Sequence, residues 1–385
     1  MIGVTTKGKG TRAMAQIAKG LEGVVVADTA LSHIDGERGR LIYCGYDIGD
    51  LAAHATFEEV AYLLWHGHLP NRAELAEFTG EMARYRTLPP AVVEVIRVLP
   101  DSAEPLEVLR TAVSAFAAAL DFKGHPSVTH AMALTGSMPS IMATFDRLRR
   151  GLPPVPPRAD LSHASNYLYM LTGEVPSEQR ARALETYLVL TADHGLNAST
   201  FTARVIASTL SDMGSAIVGA IGALKGPLHG GAPALVLDML RAIGKPENAE
   251  AWLKAVLDRG ERIMGFGHRV YRTEDPRARV LRALAERTSE IEFFKLALHV
   301  EDVALRLLHE RKPERRIYTN VEFYSAAVLH GVGLPDDLFT PTFAISRVAG
   351  WTAHVIEQLK DNRLIRPDAE YVGPMNLTFV PLDQR

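Results

Sequence analysis

The stretch Ala198–Leu224, ASTFTARVIASTLSDMGSAIVGAIGAL, decides the fold class. Small residues recur throughout it: Ala203, Ala207, Ser211, Gly214, Ser215, Gly219, Ala220, Gly222 and Ala223. The distance between packed helices depends on the side chains at their contact, and small ones let backbones approach closely. The stretch therefore predicts a central, buried pair of helices.

Helix signals continue on both sides. Toward the N-terminus, Thr56-Phe57-Glu58-Glu59 has the spacing of a capping box and predicts a helix to about His66, stopped with the help of Pro70. Asn71 with Glu74 starts the next helix, and Leu88-Pro89-Pro90 ends it. Asp101 to Leu120 carries Ala-rich helical spacing. Pro153, Pro154, Pro156 and Pro157 make the segment from Gly151 a surface connector, because proline fixes φ and lacks a donor. Ser177 caps a helix that ends at His194-Gly195. Only near the start does a strand pattern appear: Val24–Val26 and Leu41–Tyr43, around Asp35-Gly36-Glu37-Arg38-Gly39, predict a small β-hairpin. No alternation of strands and helices and no fixed period occurs, so a doubly wound sheet and a helical solenoid are both set aside. The fold class is mostly α.

At 385 residues the chain exceeds one compact core, which predicts two packed lobes. A net charge of −3 without a long Lys/Arg run argues against a nucleic-acid partner, and leaves substrate charge to a few placed arginines. Met1–Gly20 has basic residues but no apolar core of a secretory signal, and apolar runs break before membrane-spanning length. The sole cysteine, Cys44, excludes an internal disulfide and reads as a core thiol, so a cytoplasmic protein is expected.

Four Gly-rich or His- and Arg-bearing stretches look wrong for packing alone: 193–200 (DHGLNAST), 226–233 (GPLHGGAP), 265–277 (GFGHRVYRTEDPR) and 319–325 (TNVEFYS). In the second, Pro233 suits the first turn of a helix, so His229 lies just before a helix N-terminus. The positive end of the helix dipole disfavours imidazolium, which leaves a neutral histidine able to donate to a developing enolate. In the third, His268 stands beside a glycine pair, with Arg272 and Arg277 following; guanidinium forks suit carboxylate or phosphate. In the fourth, Asn320 is a plausible N-cap, and Glu322 in the first turn sits between Val321 and Phe323. Helix dipole and desolvation together suit a general base. Each feature alone also has an ordinary explanation: a cap-turn histidine, a solvated basic turn, a first-turn glutamate.

In combination, GPLHGGA, GFGHRVYR…DPR and TNVEFYS resemble the citrate synthase family, and the resemblance runs from Gly20 to Pro374. It implies a citrate-synthase-like, mostly helical homodimer that condenses acetyl-CoA with oxaloacetate. The large domain would be 1–224 with 325–385, and the small domain 225–324. By the resemblance His229 stabilises the acetyl-CoA enol, His268 protonates the oxaloacetate carbonyl oxygen, and Glu322 removes the methyl proton. His194, Arg277, Arg347 and Arg366 would hold the oxaloacetate carboxylates, Arg366 reaching from the partner subunit. Arg272 resembles a CoA phosphate contact, and Met264, Gly265, Phe266 and Gly267 the loop under the adenine. Acetyl-CoA would come as co-substrate, with no resident cofactor or metal.

Two positions depart from the family pattern. Glu322 stands where aspartate is usual, and Ala232-Pro233 where Ala-Asn is commoner. The charge type of the base survives, while its reach changes by one methylene. Rival readings are a 2-methylcitrate synthase using propionyl-CoA and an inactive CoA-binding paralogue. A metal hydrolase ranks below both, because no HExxH-type spacing occurs.

Overall fold

A computed structural model describes residues 17–120, 122, 124–230 and 232–385. Residues 1–16, most of the stretch read above for a signal sequence, lie outside the described residues, as does Gly231 of the second motif.

The small sheet forms first in the chain. Strands β1 (Ser32–Asp35), β2 (Arg40–Tyr43) and β3 (Tyr46–Asp47) pair antiparallel in the order β1-β2-β3, with Ile34 opposite Leu41 and Asp35 opposite Arg40. The hairpin is present, but its first strand is not Val24–Val26. The four-residue connection 36–39 pairs the residues that flank it at once, so Leu41 meets Ile34 and Val24–Val26 remain exposed outside any strand. Gly36 is needed at the hairpin tip, where a Cβ would lie 2.3 Å from the Val270 carbonyl oxygen. Arg272 donates its backbone N–H to Gly36 O at 2.8 Å, tying this tip to the third motif. Cys44 follows β2, half-buried, with burial pushing its thiol up to about 11.

The large helical body begins with α1 (Ile48–His54), α2 (Phe57–His66), α3 (Arg72–Arg84), α4 (Pro90–Val98) and α5 (Pro105–Ala119). Thr56/Glu59 and Asn71/Glu74 close both predicted capping boxes. Next come α6 (Val128–Arg149), α7 (His163–Thr172), α8 (Glu178–Thr191), α9 (Ala198–Ser208) and α10 (Met213–Leu224). The pair α9/α10 is the helix pair expected of Ala198–Leu224, broken at Asp212, which caps α10. Its small residues are required. A Cβ on Gly219 would lie 2.2 Å from Ile206 Cδ1 on α9, and one on Gly214 2.3 Å from Ala117 Cβ on α5.

A second group packs together after this pair: α11 (Ala232–Ile243), α12 (Ala249–Asp258), α13 (Pro276–Thr288), α14 (Ile291–Arg311) and α15 (Val321–Gly331). The final helix, α16 (Phe339–Lys360), returns through the large body and packs on α2, α6, α8 and α9. It is buried along most of its length. The tail beyond it is anchored on the end of α9, where Ser208 O accepts from Asn362 Nδ2 and Ser208 Oγ accepts from Ile365 N. Among the described residues no helix is long and apolar enough to cross a membrane.

Candidate active site

Three loops and one helix converge where the two helical groups meet. The turn 192–197 between α8 and α9 carries His194. It is fixed from below: Asp193 is buried, accepts from Ser32 Oγ at 2.5 Å and Gly195 N at 3.2 Å, and faces His354 Nε2 at 3.2 Å. Gly350 of α16 closes on the same turn; a Cβ there would sit 2.4 Å from Ala192 O. His194 itself is half-buried, its Nε2 3.2 Å from the Tyr271 hydroxyl, its ring 5.4 Å from that of His268. Burial, with Arg277 and Arg347 nearby, holds it well below the usual histidine range.

The third and fourth motifs are bound to each other. Gly267 N donates to Tyr318 O at 2.8 Å, Asn320 N to Gly265 O at 3.0 Å, and Asn320 Nδ2 to Gly267 O at 3.0 Å. Gly265 has φ +86°, and a Cβ would meet Phe323 Cδ2 at 2.7 Å, so only glycine permits this seam. Asn320 caps α15 as expected, accepting from Glu322 N at 3.1 Å. Burial raises the Glu322 pKa, with Arg277 opposing and Asp275 reinforcing the shift.

The two motif histidines adopt opposite tautomers when neutral. His229 Nε2 accepts from Ser199 N at 3.3 Å and contacts Ser199 Oγ at 2.8 Å, which leaves the proton on Nδ1. His268 Nδ1 accepts from Val270 N at 3.0 Å and Tyr271 N at 3.1 Å, which leaves the proton on Nε2. Both are kept neutral: burial, then Arg347, lowers His229, and burial, then Arg277, takes His268 down to about 4. Each imidazole thus holds a fixed N–H donor in a site with buried positive charge.

That charge comes from two buried arginines. Arg277, second residue of α13, is clasped by Asp275 through Nε (3.0 Å) and Nη2 (2.8 Å). Arg347, on α16, donates Nε to Thr191 O at 2.6 Å and lies over the Phe343 ring at 4.5 Å. Burial lowers the Arg347 pKa, with the neighbouring Asp193 opposing it. One carboxylate clasp for two buried guanidiniums leaves a pocket suited to an anion.

An open cleft of about 1340 Å³ adjoins His268, lined by Phe266, Gly267 and the basic Arg262, Arg269, Arg272, Lys312, Arg315 and Arg316. Of the predicted adenine loop, Phe266 and Gly267 face this cleft, while Gly265 is buried against Phe323 and Met264 packs partly buried against the core. Arg366 is exposed on the tail after α16. Sequence reading missed Ser199, Asp275 as the clasp of Arg277, and Lys312-Pro313-Glu314-Arg315-Arg316. The last run was visible as a basic cluster, but only α14's position brings it to the cleft. Among the described residues no cluster of three or more His, Cys, Asp or Glu is placed to hold a metal.

Fold and site define a helical enzyme in which a half-buried carboxylate and two neutral histidine donors stand beside paired arginines. A family model described as citrate synthase, C-terminal domain, matches residues 20–368. Citrate synthase of Haloferax volcanii is 47% identical, over 96% of this chain and 99% of its own length. The 2-methylcitrate synthase of Mycobacterium tuberculosis is 43% identical, over 93% and 91%. The crystal structure of citrate synthase from Pyrobaculum aerophilum matches with a TM-score of 0.88 at 41% identity, covering 100% of both chains. The chain belongs to the citrate synthase family and is an acyltransferase of the citrate synthase type.

Proposed function

We propose that this site condenses acetyl-CoA with oxaloacetate and water, giving citrate and CoA. The single observation that carries the residue assignments is the opposite tautomers of His229, which shares a small cavity with Glu322, and His268, which shares Arg277 with it. The Glu322 carboxylate takes a proton from the acetyl methyl group, and the electron pair shifts to the thioester oxygen, held by His229 Nδ1–H. The new nucleophilic carbon attacks the oxaloacetate ketone, whose oxygen takes the proton of His268 Nε2. Water then cleaves the C–S bond, and CoA leaves as the thiol.

A thioester α-proton is far less acidic than a carboxylic acid, and each unit of mismatch costs about 1.36 kcal/mol. A raised Glu322 pKa narrows the gap from one side. Preorganised donors at the enolate and alkoxide positions narrow it from the other. His194, Arg277 and Arg347 would hold the oxaloacetate carboxylates. The basic cleft, Arg272 included, would hold the CoA phosphates, with acetyl-CoA a co-substrate and no resident cofactor. We take 225–324 as the small domain that closes over the substrates; its second boundary falls within α15.

A homodimer belongs to the same reading. Arg366 is exposed, and Tyr371, Val372, Met375, Leu377 and Phe379 beyond it expose large apolar side chains, the surface a partner subunit would cover. A cytoplasmic location is part of the same reading, in keeping with a single cysteine. The test is free CoA appearing from acetyl-CoA. It should appear at a catalytic rate only when oxaloacetate is added, and equal rates without oxaloacetate contradict the condensation.

A further inference from the structure

Helix α16 meets the chain just ahead of His194 along one face. Arg347, Gly350 and His354 follow one another on that face at helical spacing, and each touches residues 191–193. Arg347 Nε donates to Thr191 O at 2.6 Å, Gly350 N donates to Ala192 O at 3.1 Å, and His354 Nε2 stands 3.2 Å from Asp193 Oδ1. Asp193 and His354 are fully buried, and among the described residues neither of these two atoms has another polar partner.

The other ring nitrogen assigns the His354 proton. Arg204 Nη1, which can only donate, lies 3.1 Å from Nδ1, so in the neutral ring Nε2 carries the hydrogen. Arg204 is itself held in place, donating Nε to Gln358 Oε1 at 3.0 Å and Nη1 to Glu357 Oε2 at 2.8 Å. His354 thus presents a fixed donor to Asp193. The carboxylate also has a rival partner, because Arg347 lies near enough for each charge to act on the other. Yet among the described residues no ion pair joins them, and Arg347 makes its hydrogen bond through Nε alone. Arg277 is different, since Asp275 clasps it through two nitrogens. Asp193 is instead kept elsewhere: Ser32 Oγ and Gly195 N take Oδ2, while Oδ1 faces His354 under Gly350, where a Cβ would sit 2.5 Å away.

We propose that His354 is a positioning residue that draws the Asp193 carboxylate away from Arg347 and so keeps that guanidinium free for a carboxylate of oxaloacetate. The inference rests on the condensation proposed above. Without the His354 donor, Asp193 Oδ1 is a buried anion with no partner, and closing on Arg347 is its nearest relief. Both buried guanidiniums would then be neutralised from within, and the pocket would lose its hold on the substrate. The buried set of Arg204, Gln358 and Glu357 acts one step further back, by fixing which nitrogen of His354 donates.

The experiment measures kcat and the KM values for oxaloacetate and acetyl-CoA, by release of the CoA thiol. In His354→Leu the oxaloacetate KM should rise at least about tenfold, as for a lost hydrogen bond to a charged group, while kcat and the acetyl-CoA KM stay within about threefold. His354→Gln, whose longer amide still donates to Asp193, should stay within about threefold of the unaltered enzyme in all three. Adding Asp193→Asn to His354→Leu removes the competing charge. The double variant should lower the oxaloacetate KM again by at least about threefold, a recovery that a purely structural role does not produce. An unchanged oxaloacetate KM in His354→Leu, or an equal rise in both KM values, overturns the proposal. So does a Gln variant as impaired as the Leu variant, or a double variant no better than His354→Leu. If His354→Leu does not fold, His354→Asn carries the same comparison, since its amide keeps an acceptor for Arg204 but falls short of Asp193. CoA release that ignores oxaloacetate in the unaltered enzyme removes the condensation reading instead, and the role of His354 with it.

Discussion

Two regions of this molecule set a buried arginine beside a histidine and a carboxylate, and only one is built for chemistry. At the site, Arg277 and Glu322 stand in the first turns of α13 and α15, Glu322 on a small cavity, and His268 lines the open cleft. The other lies inside the large body, where Arg86 donates Nη1 to Arg158 O and Leu161 O and stands 3.8 Å from Glu58. Glu58 accepts from His163 N at 2.7 Å, and the His163 ring stacks on Phe57. Burial and the adjacent arginine depress both histidines, His163 to about 3 and His268 to about 4. A shifted pKa therefore does not distinguish them. Exposure does: His268 lines the open cleft, whereas His163 is sealed at 1% exposure between α2 and α7.

Substitutions can break that contrast. The largest effect is expected for His268→Ala, which removes the donor to the ketone oxygen and should lower kcat by roughly 10²–10⁴-fold with little change in melting temperature. The matched His163→Ala should do the opposite. Truncating a buried, stacked ring costs about 2–4 kcal/mol of stability, read from denaturant midpoints, while turnover per folded molecule is kept. A comparable loss of turnover in His163→Ala would mean that the two polar clusters are coupled through α8. The smallest effect belongs to Ser199→Ala. It deletes one of two contacts to His229 Nε2 but spares the backbone N–H that fixes the tautomer. A loss of about 1 kcal/mol, roughly fivefold in rate, is expected, and a 100-fold loss would show that the hydroxyl does more than position the ring.

The contrast also explains what could be read from the chain. The four motif loops were legible because their signals are local: glycines at tight turns, an Asn before a first-turn Glu, a Pro starting a helix. The α9/α10 pair was legible for the same reason, since small residues at close spacing announce close packing. Partners supplied by tertiary contact were not. Ser199 precedes His229 by 30 residues and meets it only through the packing of α9 on the motif turn. Lys312 and Arg315 reach the cleft because α14 ends there. The hairpin's first strand was misplaced because Val24–Val26 have strand propensity, yet turn length sets the register. The Arg86–His163 cluster was not anticipated at all, since nothing around Arg86 in the chain signals its burial.

Glu322 carries the central claim, and Glu322→Gln tests it most directly, because shape and hydrogen-bonding capacity persist while the proton acceptor is lost. Oxaloacetate-dependent CoA release should fall at least 10²–10⁴-fold, roughly the contribution of a general base. Oxaloacetate binding should remain near that of the unaltered enzyme, since His194, Arg277 and Arg347 are untouched. In the unaltered enzyme, kcat/KM should fall as pH drops through the pKa of Glu322. That acid limb should lie above the ordinary glutamate range, because burial raises this carboxyl, and it should vanish from the residual activity of the Gln variant. Near-normal turnover in Glu322→Gln would contradict the account, because the methyl proton would then have to leave by another group.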